Sequence, residues 1–181
     1  MRATMTAPPS SVLVLGLGND LLGDDAVGLC VARTVRARLA GVAGCSVRET
    51  NEMGLALLDE ITGCDHLLLV DAIETGAAPP GHVHEFDARS LKGRRITAPH
   101  FVGIVETLEL GQALCLPMPR DVGVFAIEVE AAFTVRVALT PGVERAVGEA
   151  TDRICARAFG LLKSATPGRA SPLPEPSRSL P

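Results

Sequence analysis

With 181 residues, 47% of them hydrophobic and 21% charged, the chain carries enough apolar material for one globular core. A net charge of -4 argues against a nucleic-acid binder, which would show a basic patch, and an aromatic share of 3% without Trp or Tyr argues against a base-stacking surface. No stretch is long and apolar enough to cross a membrane.

Residues 1–11 read as a disordered leader. They have no hydrophobic centre, and the apolar run that follows is too short for a signal peptide. Five cysteines, an odd number without a CxxC pair, read as buried free thiols in a reducing compartment. A soluble cytoplasmic monomer is therefore expected.

Residues 12–28, VLVLGLGNDLLGDDAVG, organise the chain. The run from Val12 to Leu15, closed by glycine, predicts a buried parallel strand. Gly16 and Gly18 permit a sharp turn. Asp24 and Asp25 then open a helix reaching about Leu39, with Val27, Cys30, Val31, Thr34 and Val35 on one face. A second strand lies near residues 45–48, and Glu49-Thr50-Asn51-Glu52 forms a polar junction. A second helix over residues 54–61 presents Leu55, Leu58 and Ile61.

The run from Leu67 to Val70 predicts a central strand ending in Asp71. Residues 77–81, AAPPG, make a turn, and residues 82–86 alternate as a half-exposed edge strand does. A basic loop spans residues 87–95. Pro99-His100 precedes a helix over residues 101–114, with Val105, Leu108 and Leu110 apolar. The last strand covers residues 122–129. Thr140 as cap and Pro141 at the first position start the final helix, which runs to about Leu162. The fold class expected is α/β: a three-layer, twisted, mostly parallel sheet of about five strands, helices on both faces and one antiparallel edge strand. Residues 12–162 form a single domain, and residues 163–181 a Ser/Pro-rich disordered tail.

Three groups could do chemistry at the carboxyl edge of such a sheet, where open α/β folds carry their ligands: Asp25, Asp71 and His100. A carboxylate closing an apolar run needs a partner. Taken alone, Asp71 fits a helix cap or a backbone hydrogen bond as well as a metal ligand or a general acid or base. Asp25 alone suits the helix dipole, and His100 alone suits a cap or the surface. Together, two carboxylates and an imidazole match the ligand set of Zn, Ni, Mn or Fe, with positions left open for water or substrate. His82 and His84 share a face of the edge strand and read as its polar decoration. Gly16-Leu17-Gly18 opens like a dinucleotide fingerprint, but Leu21 stands where the third glycine belongs, and Asp24-Asp25 would repel a pyrophosphate.

The pattern GxGNxLxxDDxxG, carried by Gly16, Gly18, Asn19, Leu21, Asp24, Asp25 and Gly28, resembles the N-terminal signature of the hydrogenase maturation endopeptidases. The apolar strand before Asp71-Ala72, Pro99-His100 followed by Gly103, and Leu139-Thr140-Pro141 are similar to further pieces of that family. The resemblance implies an endopeptidase that removes a C-terminal peptide from the large-subunit precursor of a [NiFe]-hydrogenase after nickel insertion. It implies a metal site of Asp25, Asp71 and His100, with Asp24 the weaker match, and nickel supplied by the precursor. Either the metal or a carboxylate acting through water would then drive hydrolysis. One departure stands out: where many members carry an Asp-Gly-Gly-Thr-like loop, this chain has Glu49-Thr50-Asn51-Glu52, which leaves open which precursor is recognised. Two other functions fit the residues less well. One is a nickel-checking chaperone that binds without cutting, and the other a nucleotide-binding Rossmann-like domain.

Overall fold

The computed structural model describes residues 11–52, 54–88, 104–130 and 138–164. Five strands form one sheet: β1 (Val12–Leu17), β2 (Cys45–Thr50), β3 (His66–Ile73), β4 (Val83–Asp87) and β5 (Asp121–Glu128). Their spatial order is β2-β1-β3-β5-β4, with every pair parallel except β4 against β5. The expected architecture is thus the observed one, antiparallel edge included. Burial explains the order. β1 and β3 are near-continuous apolar runs, buried almost throughout, as central parallel strands must be. β2 and β4 alternate between covered and open positions, and both lie at edges.

Among the described residues four α-helices complete the layers: α1 (Val27–Arg38), α2 (Leu57–Ile61), α3 (Ile104–Ala113) and α4 (Pro141–Ser164). Side chains alternate across each strand, so the sheet feeds two cores. Val12, Val14, Leu68, Val70, Phe125 and Ile127 pack with α1 and α4. Leu13, Leu15, Leu67, Leu69, Val124 and Ala126 pack with α2 and α3.

Several local expectations shift. β3 does not stop at Asp71 but continues through Ala72 and Ile73, which pair with Ile127 and Glu128. A buried acid interrupts the apolar run without interrupting the ladder. The buried stripe of α1 is Val27, Gly28, Val31, Ala32 and Val35, while Thr34 points out and returns its hydroxyl to the Cys30 carbonyl. The second helical segment opens with a 3-10 turn, Gly54–Ala56, so its inward residues are Leu57 and Ile61 and Leu55 is exposed. Of the five thiols, all free, only Cys155 is buried. Among the described residues no helix is long and apolar enough to cross a membrane.

Candidate active site

Asp25 lies in a 3-10 turn, Gly23–Ala26, that links β1 to α1, and all four residues of that turn are buried. Gly28 decides where the turn sits. A Cβ at Gly28 would stand 2.2 Å from the Leu17 carbonyl oxygen and 2.4 Å from that of Val70. Only glycine lets the start of α1 rest on the carboxyl ends of β1 and β3 at once. Gly18, at φ +147°, makes the second close approach, with its missing Cβ 2.1 Å from the Asp25 carbonyl oxygen. Asp71 follows Val70 directly. The two glycines therefore bring the Asp25 turn against the strand that carries Asp71.

Both carboxylates are withdrawn from water, Asp25 at 1% exposure and Asp71 at 0%. Asp71 Oδ1 accepts the Ala72 amide at 2.8 Å. Its side chain shares a face with Leu67, Leu69 and Ile73, the face covered by α2 and α3. The third expected member, His100, falls outside the described residues. So do Pro99 and Gly103.

Asp24 has a different occupation. Its Oδ1 accepts the Thr140 amide at 2.6 Å and its Oδ2 the Thr140 hydroxyl at 2.8 Å. Thr140 does sit at the head of α4, where its carbonyl accepts the Glu144 amide at 2.8 Å. Its hydroxyl, though, caps no helix amide in these contacts; it donates to Asp24. Asp24 is thereby committed to pinning the start of α4.

Glu128 escaped the sequence reading. It is 1% exposed at the end of β5 and accepts four hydrogen bonds. The Thr75 amide and hydroxyl reach it at 2.7 Å each, the Gly76 amide at 2.8 Å and His84 Nε2 at 2.8 Å. Burial by itself would push this carboxyl up, but the bonds from Thr75, His84 and Gly76 outweigh it and hold it below the usual glutamate value. An acid set between Ile127 and Val129 is the same signal that singled out Asp71. His84 is thus engaged with Glu128, and His82 lies beside it with ring centroids 4.6 Å apart. His66 begins β3, 3.8 Å from Asp121.

Burial pushes up the thiols of Cys30, Cys45, Cys64 and Cys155, that of Cys64 to about 11. Those four stay protonated at neutral pH, which suits packing and not nucleophilic attack. Among the described residues no three His, Cys, Asp or Glu side chains are grouped to hold a metal ion. Asp25 and Asp71 carry hard carboxylate oxygens, the donor type that divalent ions prefer.

Glu49, in the departing junction, accepts Arg33 Nε at 2.7 Å and Arg36 Nη1 at 2.5 Å. Arg33 Nη2 also donates to Asp20 Oδ2 at 3.0 Å. These ion pairs lace the β1 exit loop, α1 and the end of β2 together.

Residues 45–157 match a family model described as hydrogenase maturation protease, HycI. That span includes Asp71 and His100 but begins after Asp25. The chain is 28% identical to the Hydrogenase 2 maturation protease of Escherichia coli over 148 residues, 80% of this chain and 88% of that one. It is 27% identical to the hydrogenase expression/formation protein HupD of Rhodobacter capsulatus, covering 87% of this chain and 78% of that one. Among solved structures, the hydrogenase maturating endopeptidase HybD from E. coli superposes with a TM-score of 0.71 at 24% identity, covering 83% of this chain and 93% of that one. The [NiFe] hydrogenase maturation protease HybD from Thermococcus kodakarensis gives 0.65 at 23%, covering 82% and 99%. Those structures establish the shared fold.

Proposed function

The chain belongs to the hydrogenase maturation protease family, and from that premise we propose that it removes the C-terminal extension of a [NiFe]-hydrogenase large-subunit precursor once nickel has been inserted. What supports the reading is that two buried acids, Asp25 and Asp71, lie on elements held close by the contact of Gly28 with the Leu17 and Val70 carbonyls. Nickel enters as part of the substrate. Asp25, Asp71 and His100 engage the ion that the precursor carries, and this aligns the scissile bond beside them. Ile104, the first described residue of α3, is buried in the core on the Asp71 side, and His100 precedes it closely in the chain.

Hydrolysis adds water across the peptide C–N bond: oxygen joins the carbonyl carbon, the bond breaks, and the amine leaves with a proton. The ion, when engaged, polarises the carbonyl or makes bound water more acidic. In this reading a carboxylate of the pair accepts the water proton and passes it to the leaving nitrogen.

The test is incubation of the full chain with nickel-loaded and nickel-free precursor, read by intact mass. Loaded precursor should lose its extension and nickel-free precursor should stay whole. Cutting of both would remove nickel recognition while keeping the peptidase. Binding of loaded precursor with no loss of mass would reject cleavage in favour of a checking role.

A further inference from the structure

Glu128 holds both ends of one connecting segment. Residues 74–82 link β3 to the edge strand β4, and Thr75, Gly76 and Ala77 are exposed along it. At the start of the segment the Glu128 side chain does the holding. Its Oε1 accepts the amides of Thr75 at 2.7 Å and Gly76 at 2.8 Å, and its Oε2 accepts the Thr75 hydroxyl at 2.7 Å. At the far end the Glu128 backbone takes over. Its carbonyl accepts the Gly81 amide at 2.8 Å, and its amide donates to the His82 carbonyl at 2.9 Å. Gly81 is also set against the head of α4, where a Cβ would stand 2.4 Å from the Gly142 carbonyl oxygen. Between the two ends the segment walls a hollow of about 490 Å³ together with Glu128, Val129 and Glu130.

The two ends differ in what they require. The bonds at Gly81 and His82 involve no titratable group. Those at Thr75 and Gly76 are charge-assisted and need an ionised carboxylate. A proton on Oε1 would face two amides that cannot accept it. A proton on Oε2 would face His84 Nε2, 2.8 Å away, and the Thr75 hydroxyl, of which only the hydroxyl can turn to accept. His84 donates from Nε2 both as imidazolium and as the Nε2–H tautomer, so its own titration leaves this bond in place. The other described titratable groups nearby are His82, stacked edge-on to His84, Glu74 and Glu130 in the wall of the hollow, and Asp71, two residues back in the register on β3. Arg153 of α4 is engaged by the Val83 carbonyl, Glu85 and Glu149. Burial pushes the Glu128 carboxyl up and its donors more than offset this, so the closed arrangement is full above the ordinary glutamate range and fades as pH falls through the lowered value.

We propose that residues 74–78 are a strap closed on the sheet by the ionised Glu128 carboxylate, and that protonating this one group frees the strap at Thr75 and Gly76 while its far end stays fixed at Gly81 and the sheet stays folded. The strap then opens as a flap hinged at residues 79–81, beside the strand that carries Asp71. The device stands whether or not the chain cuts a precursor.

Amide hydrogen exchange of the full chain, read residue by residue, tests it. At neutral pH the amides of Thr75, Gly76, Gly81 and Leu69 should all exchange at least about a hundredfold slower than in an unstructured chain. Below the ordinary glutamate range Thr75 and Gly76 should come within about tenfold of that chain, while Gly81 and Leu69 stay at least about a hundredfold slower. Glu128→Gln should show the acid pattern already at neutral pH. If that variant does not fold, the pH series on the unmodified chain decides alone. Loss of protection at all four amides together is global unfolding and rejects the strap. Thr75 and Gly76 keeping their protection in acid, or lacking it at neutral pH, rejects it as well.

Discussion

Four acids are buried at one edge of this sheet, and they divide into two pairs by what they hold. Asp24 and Glu128 reach across the chain, Asp24 to Thr140 and Glu128 to Thr75, Gly76 and His84. Each fastens segments far apart in sequence, and their oxygens serve the protein's own donors. Asp71 accepts the amide of its immediate neighbour, Ala72, within β3. Asp25 is set by backbone contacts at Gly18 and Gly28. Burial alone does not separate structural acids from chemical ones; the proposed function assigns the chemistry to Asp25 and Asp71, and substitution separates the two pairs.

The sharpest test of that division is Asp71→Asn. Processing of the loaded precursor should fall by about a thousandfold or more, while thermal unfolding shifts by only a few degrees. A large loss of stability would move Asp71 to the structural pair. Gly28→Ala should affect both properties, because its methyl group meets backbone oxygens on two strands. Denaturant titration should show a loss of about 3 kcal/mol, with processing strongly reduced.

Glu128→Gln should behave in the opposite way to Asp71→Asn. Stability should drop by about 2 kcal/mol, since a charged acceptor of several bonds is replaced by a neutral one, with kcat little changed in the folded fraction. The pH dependence follows from the same bonds. The Glu128 carboxyl is held below its unfolded value, so its stabilisation is full above the ordinary glutamate range and fades as pH falls through the lowered folded value. The Gln variant should therefore show a flatter stability profile in acid, and an unchanged profile would count against the assignment. Asp24→Asn, losing one charged acceptor at Thr140, should cost about 1.5 kcal/mol and loosen the start of α4, measurable as faster amide exchange at Glu144. The smallest effect belongs to Thr151, whose buried hydroxyl has no hydrogen-bond partner among the described residues. Thr151→Val should raise stability by about 1 kcal/mol, in contrast to every change at the bonded acids.

Much of this was legible in the chain. The apolar runs at Val12 and Leu67 marked the central strands, and alternation marked the edge at β4, because a strand buried on both faces has no reason to alternate. Asp25 and Asp71 stood out as acids in apolar settings. What stayed hidden depends on distance in sequence. Nothing near Asp24 names Thr140 as its partner, and nothing near Glu128 names Thr75. Glu128 carried the same local signal as Asp71 but was absorbed into the last strand. A helical stripe through residues 54–61 points Leu55 inward. The opening 3-10 turn changes that phase and turns the side chain to solvent. The role of the Glu49 junction was also out of reach, since its arginine partners sit on α1.

The bond between Asp24 and Thr140 also has a bearing on timing. A growing polypeptide emerges from the ribosome amino end first, so the acid turn is synthesised long before the segment that anchors it. Until Thr140 arrives and α4 docks, the Asp24 carboxylate lacks those two donors, and the start of α4 is not yet fastened to the acid turn. Long-range closure of this kind is slow compared with local helix formation. Competence to cut should therefore appear only after nearly all of the domain has been translated, a delay that stalled nascent chains of graded length would reveal.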